Sequence, residues 1–322
     1  MLQTVLLRRA CKTTVLASLL VPATALVAAG CGEGPESTRI SITRRVEVAA
    51  VRPSRVPDTA GEPAPLRVAI AGILSPTRTL DGYHDLLGYM GQRLNQPVRL
   101  IQRGTYAEIN GLLKDREIDL AFVCAGALSE GEREFGMEAL VVPEVRGRSV
   151  YYSYLIVNRK SQSGRLEDLL GGSFAFSDPL SNTGRLVPVY QLALRGQTPE
   201  RFFRSTVFTY SHDNSILAVA DGLADAAAVD SLVYDYLRAR NPEAVAETRV
   251  IQRWGPYGIP PVVVHPNLDP EQKRALKEFL LTIHADPEGK AILDRLLIDR
   301  FVLVDPGLFR SIREMEARVR RR

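Results

Sequence analysis

Cysteine and histidine are both scarce in this chain of 322 residues. Of the three cysteines, Cys11 lies in a leader described below and Cys31 ends it, which leaves Cys124 without an obvious partner. We therefore predict no disulfide. The four histidines are widely scattered, at His84, His212, His265 and His284. Because this spacing is not that of metal ligands, we expect no bound metal and no cofactor.

A strong charge of either sign is also missing. The net charge is only +4, and the basic excess lies in the first 64 residues, so that residues 65–322 are almost neutral. Nothing in this distribution predicts a basic surface for nucleic acid. The arginine-rich end, residues 318–322, is typical of a solvated helix end.

Residues 1–31 have the pattern of an export signal. A basic start at residues 8–12 precedes an apolar run, Thr13 to Ala28, that is too short to favour a membrane-spanning helix. The small residues just before Cys31 resemble the bacterial lipoprotein cleavage motif, and this implies a lipid-bearing N-terminal cysteine. The alternative is a plain secretory signal in which the cysteine occurs by chance.

Residues 32–64 are rich in proline, glycine and charged residues, and we predict a disordered tether. A lipidated cysteine followed by such a tether indicates an exported protein. We expect it to be lipid-anchored on the outer face of the cytoplasmic membrane or in the periplasm.

The remainder of the chain alternates predicted strands with predicted helices, which is typical of an α/β fold. We assign residues 65–150 to a first lobe, residues 151–255 to a second lobe, and residues 256–322 to the first lobe again, with C-terminal helices. Long β runs at Ser149–Val157 and Pro256–Pro266 are predicted to cross between the lobes. Two crossover connectors make a hinged clamp, and such clamps close on a ligand held between their lobes.

The stretch Phe174–Arg185 predicts a binding site for an anion. Its apolar start indicates a buried strand, which Asp178-Pro179 interrupts because proline has no N–H. Three short polar residues then begin a helix: Ser181, Asn182 and Thr183. Free amides and the helix dipole favour an oxyanion there, although an ordinary capped helix is the alternative. His212 follows another predicted strand, and strand ends of this kind share one edge of a sheet.

In order and spacing, this stretch and the segments Ser211–Val219 and Asp225–Val229 resemble the phosphonate-binding family of ABC-importer periplasmic binding proteins. The resemblance covers about residues 65–305. It implies a two-lobed periplasmic-binding fold of type II. It also implies the residues that hold the ligand: Ser181, Asn182 and Thr183 around the oxyanion, His212 from the second lobe, and Tyr106 from the first lobe.

The chain departs from the family pattern at several positions. Asn182 stands where a second hydroxyl is usual, although its amide can still donate. The loop Val123–Ala127 lacks the usual Gly-Pro or Tyr-Gly element. Relatives that bind aminoalkylphosphonates place acidic residues against the amine, and an approximate alignment puts Leu232 and Pro260 there. A simpler ligand is therefore expected, such as phosphate, phosphite or a small alkylphosphonate.

These observations predict an extracytoplasmic solute-binding protein of an ABC importer, a monomer that captures a small phosphorus oxyanion and delivers it to a membrane permease. Ser181, His212 and Asp213 suggest a hydrolase triad, but the chain has no G-x-S-x-G elbow, and we expect no enzyme. We assign Asp213 instead as the N-cap of the next helix. The alternative function is a ligand-sensing partner of a membrane signalling receptor, which needs the same clamp.

Overall fold

The computed structural model describes residues 64–72 and 75–321, without the side chains of residues 76–82. The predicted export signal, Cys31 and all but the last residue of the predicted tether lie outside the described residues. Within the described part, no helix is both long enough and apolar enough to cross a membrane.

The strands and helices of the described residues alternate along most of the chain. The strands are β1 (Leu66–Ile70), β2 (Val98–Ile101), β3 (Leu120–Phe122), β4 (Glu138–Glu144), β5 (Val150–Asn158), β6 (Ser173–Phe176), β7 (Ser205–Phe208), β8 (Ala226–Asp230), β9 (Thr248–Gly258), β10 (Val262–Val264) and β11 (Arg300–Val302). The helices are α1 (Pro76–Leu94), α2 (Tyr106–Lys114), α3 (Ala125–Phe135), α4 (Val187–Leu194), α5 (Pro199–Phe202), α6 (His212–Ala220), α7 (Ser231–Arg240), α8 (Glu243–Ala246), α9 (Pro270–Thr282), α10 (Pro287–Arg295) and α11 (Arg310–Arg320).

Two mixed sheets form the centres of two lobes. The first has the strand order β11-β4-β10-β3-β1-β2, and the second has the order β7-β6-β8-β5-β9. Strands β1, β2 and β3 are parallel, as are β6, β7 and β8, whereas β10, β5 and β9 run antiparallel to their neighbours. The predicted two-lobed α/β architecture is confirmed.

The chain crosses between the sheets through β5 and β9. The crossing through β5 lies where the sequence predicts it. The prediction that Pro256–Pro266 forms one continuous strand is wrong. This run is interrupted at Pro260-Pro261, since proline has no N–H for a sheet ladder. Its first part ends β9 in the second sheet, and its second part is β10 in the first sheet.

The buried apolar side chains of the described residues form three clusters. One lies beneath α1, α9 and α10 of the first lobe, and a second lies beneath α6 and α7 of the second lobe. The largest runs through both lobes without interruption, from Tyr106 and Leu128 to Phe174 and Leu192. Its continuity means that the lobes are packed together on this side, which brings the loops at the strand ends into contact.

Helix α11 closes the same side of the molecule. Its apolar residues Ile312 and Met315 are buried in the cluster that runs through both lobes. Its polar face pairs with α3, where Arg313 contacts Glu132 at 2.7 Å and Arg320 contacts Glu130. The last helix therefore extends over elements of both lobes.

Candidate functional site

All five predicted ligand residues are buried, each at most 1% exposed. Ser181 follows the end of β6, Asn182 and Thr183 begin a π-helical turn (Asn182–Leu186) that leads into α4, and His212 begins α6. Tyr106 begins α2 of the first lobe. The fold brings Ser181, Asn182, Thr183 and His212 together because β6 and β7 are parallel neighbours, and the loops that follow them carry these residues.

His212 is held as a neutral donor. The Asp230 backbone N–H donates to His212 Nδ1 at 3.1 Å, so the ring proton lies on Nε2. Burial lowers the pKa of His212 to about 3, although the nearby Asp213 charge acts in the opposite direction. Nε2 lies 3.4 Å from Ser181 Oγ, which also accepts the Gly184 N–H at 3.0 Å. At neutral pH His212 therefore presents an N–H and no positive charge.

This geometry contains no catalytic relay. A Ser-His-Asp triad needs an aspartate carboxylate that accepts from the histidine Nδ1–H, but here Nδ1 is itself the acceptor. The Asp213 carboxylate accepts the Ser75 N–H across the cleft at 2.9 Å. The prediction that Asp213 is the N-cap of α6 is wrong, because Ser211 Oγ accepts the Asn214 N–H and takes that position.

Two residues outside the predicted ligand set hold Asn182 in place. The Asn182 N–H donates to Cys124 Sγ at 3.3 Å, and its side-chain Nδ2 donates to the Tyr151 hydroxyl at 3.0 Å. Cys124 is free, and burial raises the pKa of its thiol. It acts here as an acceptor rather than as a nucleophile. Tyr151 belongs to the tyrosine-rich run that forms β5, which was its only signal in the sequence.

Among the described residues, four buried polar atoms of this cluster have no hydrogen-bond partner: Tyr106 Oη, Ser177 Oγ, Asn182 Oδ1 and Thr183 Oγ1. Each such group costs about 1–3 kcal/mol when it is left unpaired. Ser177 was not predicted as a contact, although it lies within the stretch that the sequence indicated. Several unpaired groups in one cluster indicate a place for a polar ligand.

Two carboxylates and one glycine bring the lobes together here. Asp178 of the second lobe accepts the Tyr106 N–H at 3.1 Å, and Asp213 accepts the Ser75 N–H in the same manner. A side chain at Gly126, in the first turn of α3, would place its Cβ 2.3 Å from the Leu180 carbonyl oxygen. The first lobe can approach the loop before α4 only because this residue is glycine.

Asp230→Asn is expected to stabilise the protein increasingly as the pH rises. Burial raises the pKa of Asp230 from its ordinary 3.8 to about 7, so the folded protein holds this proton more tightly than the unfolded chain. The contribution of protonated Asp230 to the free energy of unfolding is fully present below about pH 4 and is lost as the pH rises to about 7. Asparagine keeps the acceptor for the Leu232 N–H, which Asp230 Oδ1 accepts at 2.7 Å, and never ionises.

Chemical unfolding should show a stability difference between this variant and the wild type that widens to about 2–4 kcal/mol near pH 7 and is constant above it. The exposed Asp221→Asn serves as the control. A difference that does not change with pH would contradict a buried, titrating Asp230.

Two α/β lobes joined by two strands, with a polar cluster between them at the strand ends, define a periplasmic-binding fold of type II. Residues 68–308 match the model of the family described as "ABC transporter, phosphonate, periplasmic substrate-binding protein". The chain belongs to this family.

Known relatives agree with this assignment. The phosphonates-binding periplasmic protein of Escherichia coli (strain K12) is 30% identical over 214 residues, which are 64% of this chain and 62% of that protein. The match therefore spans less than two thirds of that relative's length. A binding-protein component of an ABC phosphonate transporter from Pseudomonas aeruginosa is 27% identical, with a TM-score of 0.76 over 80% of this chain and 87% of its own.

A more distant solved structure shows the same fold. It is a Prochlorococcus marinus protein in complex with methylphosphonate, 19% identical, with a TM-score of 0.71. The match covers 80% of this chain and 98% of that one.

Proposed function

We propose that this protein is the extracytoplasmic solute-binding protein of an ABC importer and that it captures a phosphorus oxyanion: a phosphonate, phosphite or phosphate. The observation that carries the proposal is the cluster of buried, uncharged polar groups between the lobes, in which Ser177 and Thr183 have unpartnered hydroxyls beside the neutral His212. Family membership and the Prochlorococcus marinus complex support the choice of phosphorus.

The roles of the individual residues follow from their donors. Thr183 Oγ1 and Tyr106 Oη donate O–H groups, and His212 donates from Nε2. For Asn182, an oxyanion would favour the reversed amide. The Tyr151 hydroxyl would then donate to Oδ1, and Nδ2 would donate to the ligand.

Neutral donors suit reversible capture. They recognise the tetrahedral oxygens by geometry, and closure excludes water, which strengthens each of these hydrogen bonds. Because His212 Nδ1 accepts a backbone N–H, no general base is prepared, and the proposed function is binding without catalysis. A membrane permease is the proposed partner, with a monomeric chain anchored through a lipid at Cys31.

We propose lobe boundaries at 65–150, 151–255 and 256–322, and the second sheet itself begins with β5 at Val150. Strand β9 of the second sheet continues to Gly258. We therefore place the return to the first lobe after Gly258.

Calorimetric titration of the full chain, dialysed free of ligand, tests the proposal. The panel contains phosphite, phosphate, methylphosphonate, 2-aminoethylphosphonate and sulfate. We expect about micromolar or tighter binding of at least one phosphorus oxyanion and much weaker binding of sulfate. Absence of binding to every phosphorus compound would overturn the proposed function.

A further inference from the structure

A cavity of about 730 Å³ lies between the lobes beside the polar cluster. Its wall includes the carboxyl ends of three strands, at Ile70 after β1, Phe122 at the end of β3, and Asp230 at the end of β8. Ligands of α/β sheets bind at such strand ends. The cavity is therefore located where the two sheets together would hold a ligand.

Asp230 and sequence neighbours of Cys124 and Tyr151 connect the cavity to the polar cluster. Val123 lines the cavity, and the next residue, Cys124, contacts Asn182. Tyr152 lines the cavity, and its neighbour Tyr151 also contacts Asn182. Asp230 lines the cavity and donates its N–H to His212. A ligand whose anionic group lies in the cluster has the cavity directly beside it.

Six of the residues that line the cavity are aromatic. They are Tyr83, Phe122, Tyr152, Tyr154, Tyr236 and Phe301. Leu232 and Pro260 add further apolar surface. Such a wall favours flat or apolar groups, because aromatic faces bury large areas and stack on other rings.

Several charged groups of the wall have partners within the protein. Asp235 pairs with Arg238 at 3.0 Å, and Asp230 accepts the Leu232 N–H. The Arg253 guanidinium lies over the Tyr154 ring, 4.9 Å from its centre. These contacts reduce the charge that Asp235, Asp230 and Arg253 offer to a ligand.

From this geometry we infer that the cavity receives the organic substituent of the ligand, and that the substituent is a bulky aromatic group on a phosphonate or phosphate monoester. The inference rests on the proposed function, since the cluster must hold the phosphorus oxyanion. Size supports it: cavities of about 300–1,000 Å³ hold whole organic molecules. Phosphite or methylphosphonate would occupy only a small part of this volume.

Titration of the full chain with methylphosphonate, benzylphosphonate and benzyl phosphate tests the inference. We expect benzylphosphonate to bind at least about 10-fold more tightly than methylphosphonate, because the ring buries apolar surface against the wall. The two benzyl compounds carry the same ring, so their relative affinity shows whether the natural source is a phosphonate or a phosphate ester.

Tyr236→Leu removes one aromatic face of the wall and should reduce the preference for benzyl over methyl about fivefold or more. The exposed Tyr210→Leu makes the same change outside the wall and should leave the preference unaltered. If Tyr236→Leu does not fold, Leu232→Trp fills the cavity instead and should abolish the preference.

The outcomes separate the inference from the proposed function. Binding of methylphosphonate that is as tight as that of the benzyl compounds would overturn the inference and leave the proposed function standing. A benzyl preference that neither wall variant changes would also overturn it. If no phosphorus compound binds, the proposed function itself fails, and the inference fails with it.

Discussion

Gly126→Ala is expected to weaken oxyanion binding about 100-fold or more while the unliganded protein stays folded. The added Cβ would lie 2.3 Å from the Leu180 carbonyl oxygen and 3.0 Å from the Asn182 nitrogen. Both are backbone atoms, so no change of rotamer relieves the contact. The steric contact can be relieved only if α3 moves away from this loop, and this movement also opens the site. A loss of about 3 kcal/mol in binding free energy corresponds to an affinity about 100-fold weaker.

Gly111→Ala provides the matched control. It makes the same substitution in helix α2 of the same lobe, where the added Cβ meets nothing within 4 Å. Alanine there should stabilise the helix by about 0.5–1 kcal/mol and leave binding unchanged. Calorimetry gives the affinities, and small-angle scattering with and without ligand reports closure. An affinity of Gly126→Ala within about twofold of the wild type would show that binding does not need this approach of the lobes.

The parts of the fold that follow from local pattern were predictable. The strand, the proline break and the polar helix start between Phe174 and Arg185 are all coded by neighbouring residues. The direction of each strand in its sheet was harder to predict from the sequence. Strand β10, for example, pairs antiparallel with β3, which lies about 140 residues earlier in the chain. Helix α3 was not predicted, because its N-cap is Cys124, which gives no capping signal, and its first turn consists of small residues.

The candidate site shows the same limit. Ser181, Thr183 and His212 each follow a predicted strand, so the shared strand edge was enough to place them together. Cys124 and Tyr151 approach Asn182 from 58 and 31 residues away, and no local pattern shows such contacts. The error at Asp213 has another cause. Serine and aspartate are comparable N-caps, so the sequence does not distinguish Ser211 from Asp213. The Asp213 carboxylate accepts the Ser75 N–H from the other lobe, and no local pattern predicts this hydrogen bond.

Thr183→Val is expected to weaken oxyanion binding about 10- to 100-fold without destabilising the fold. Valine has nearly the same shape, and the Thr183 carbonyl continues to accept the Ser153 hydroxyl proton, at 2.7 Å. What is lost is a buried hydroxyl that has no hydrogen-bond partner among the described residues. A hydrogen bond from such a group to a charged ligand contributes about 1.5–3 kcal/mol. Calorimetry with the tightest phosphorus oxyanion measures the change.

The stability of the unliganded variant distinguishes a ligand contact at Thr183 from a purely structural role. Removing an unpaired buried hydroxyl should leave the melting temperature unchanged or raise it, so affinity and stability move in different directions. A purely structural role for Thr183 predicts that stability falls. Thr206→Val on the exposed strand β7 is the control for the substitution itself and should change neither quantity. If Thr183→Val binds as tightly as the wild type, Thr183 does not contact the ligand, and the anion must be held elsewhere in the cluster.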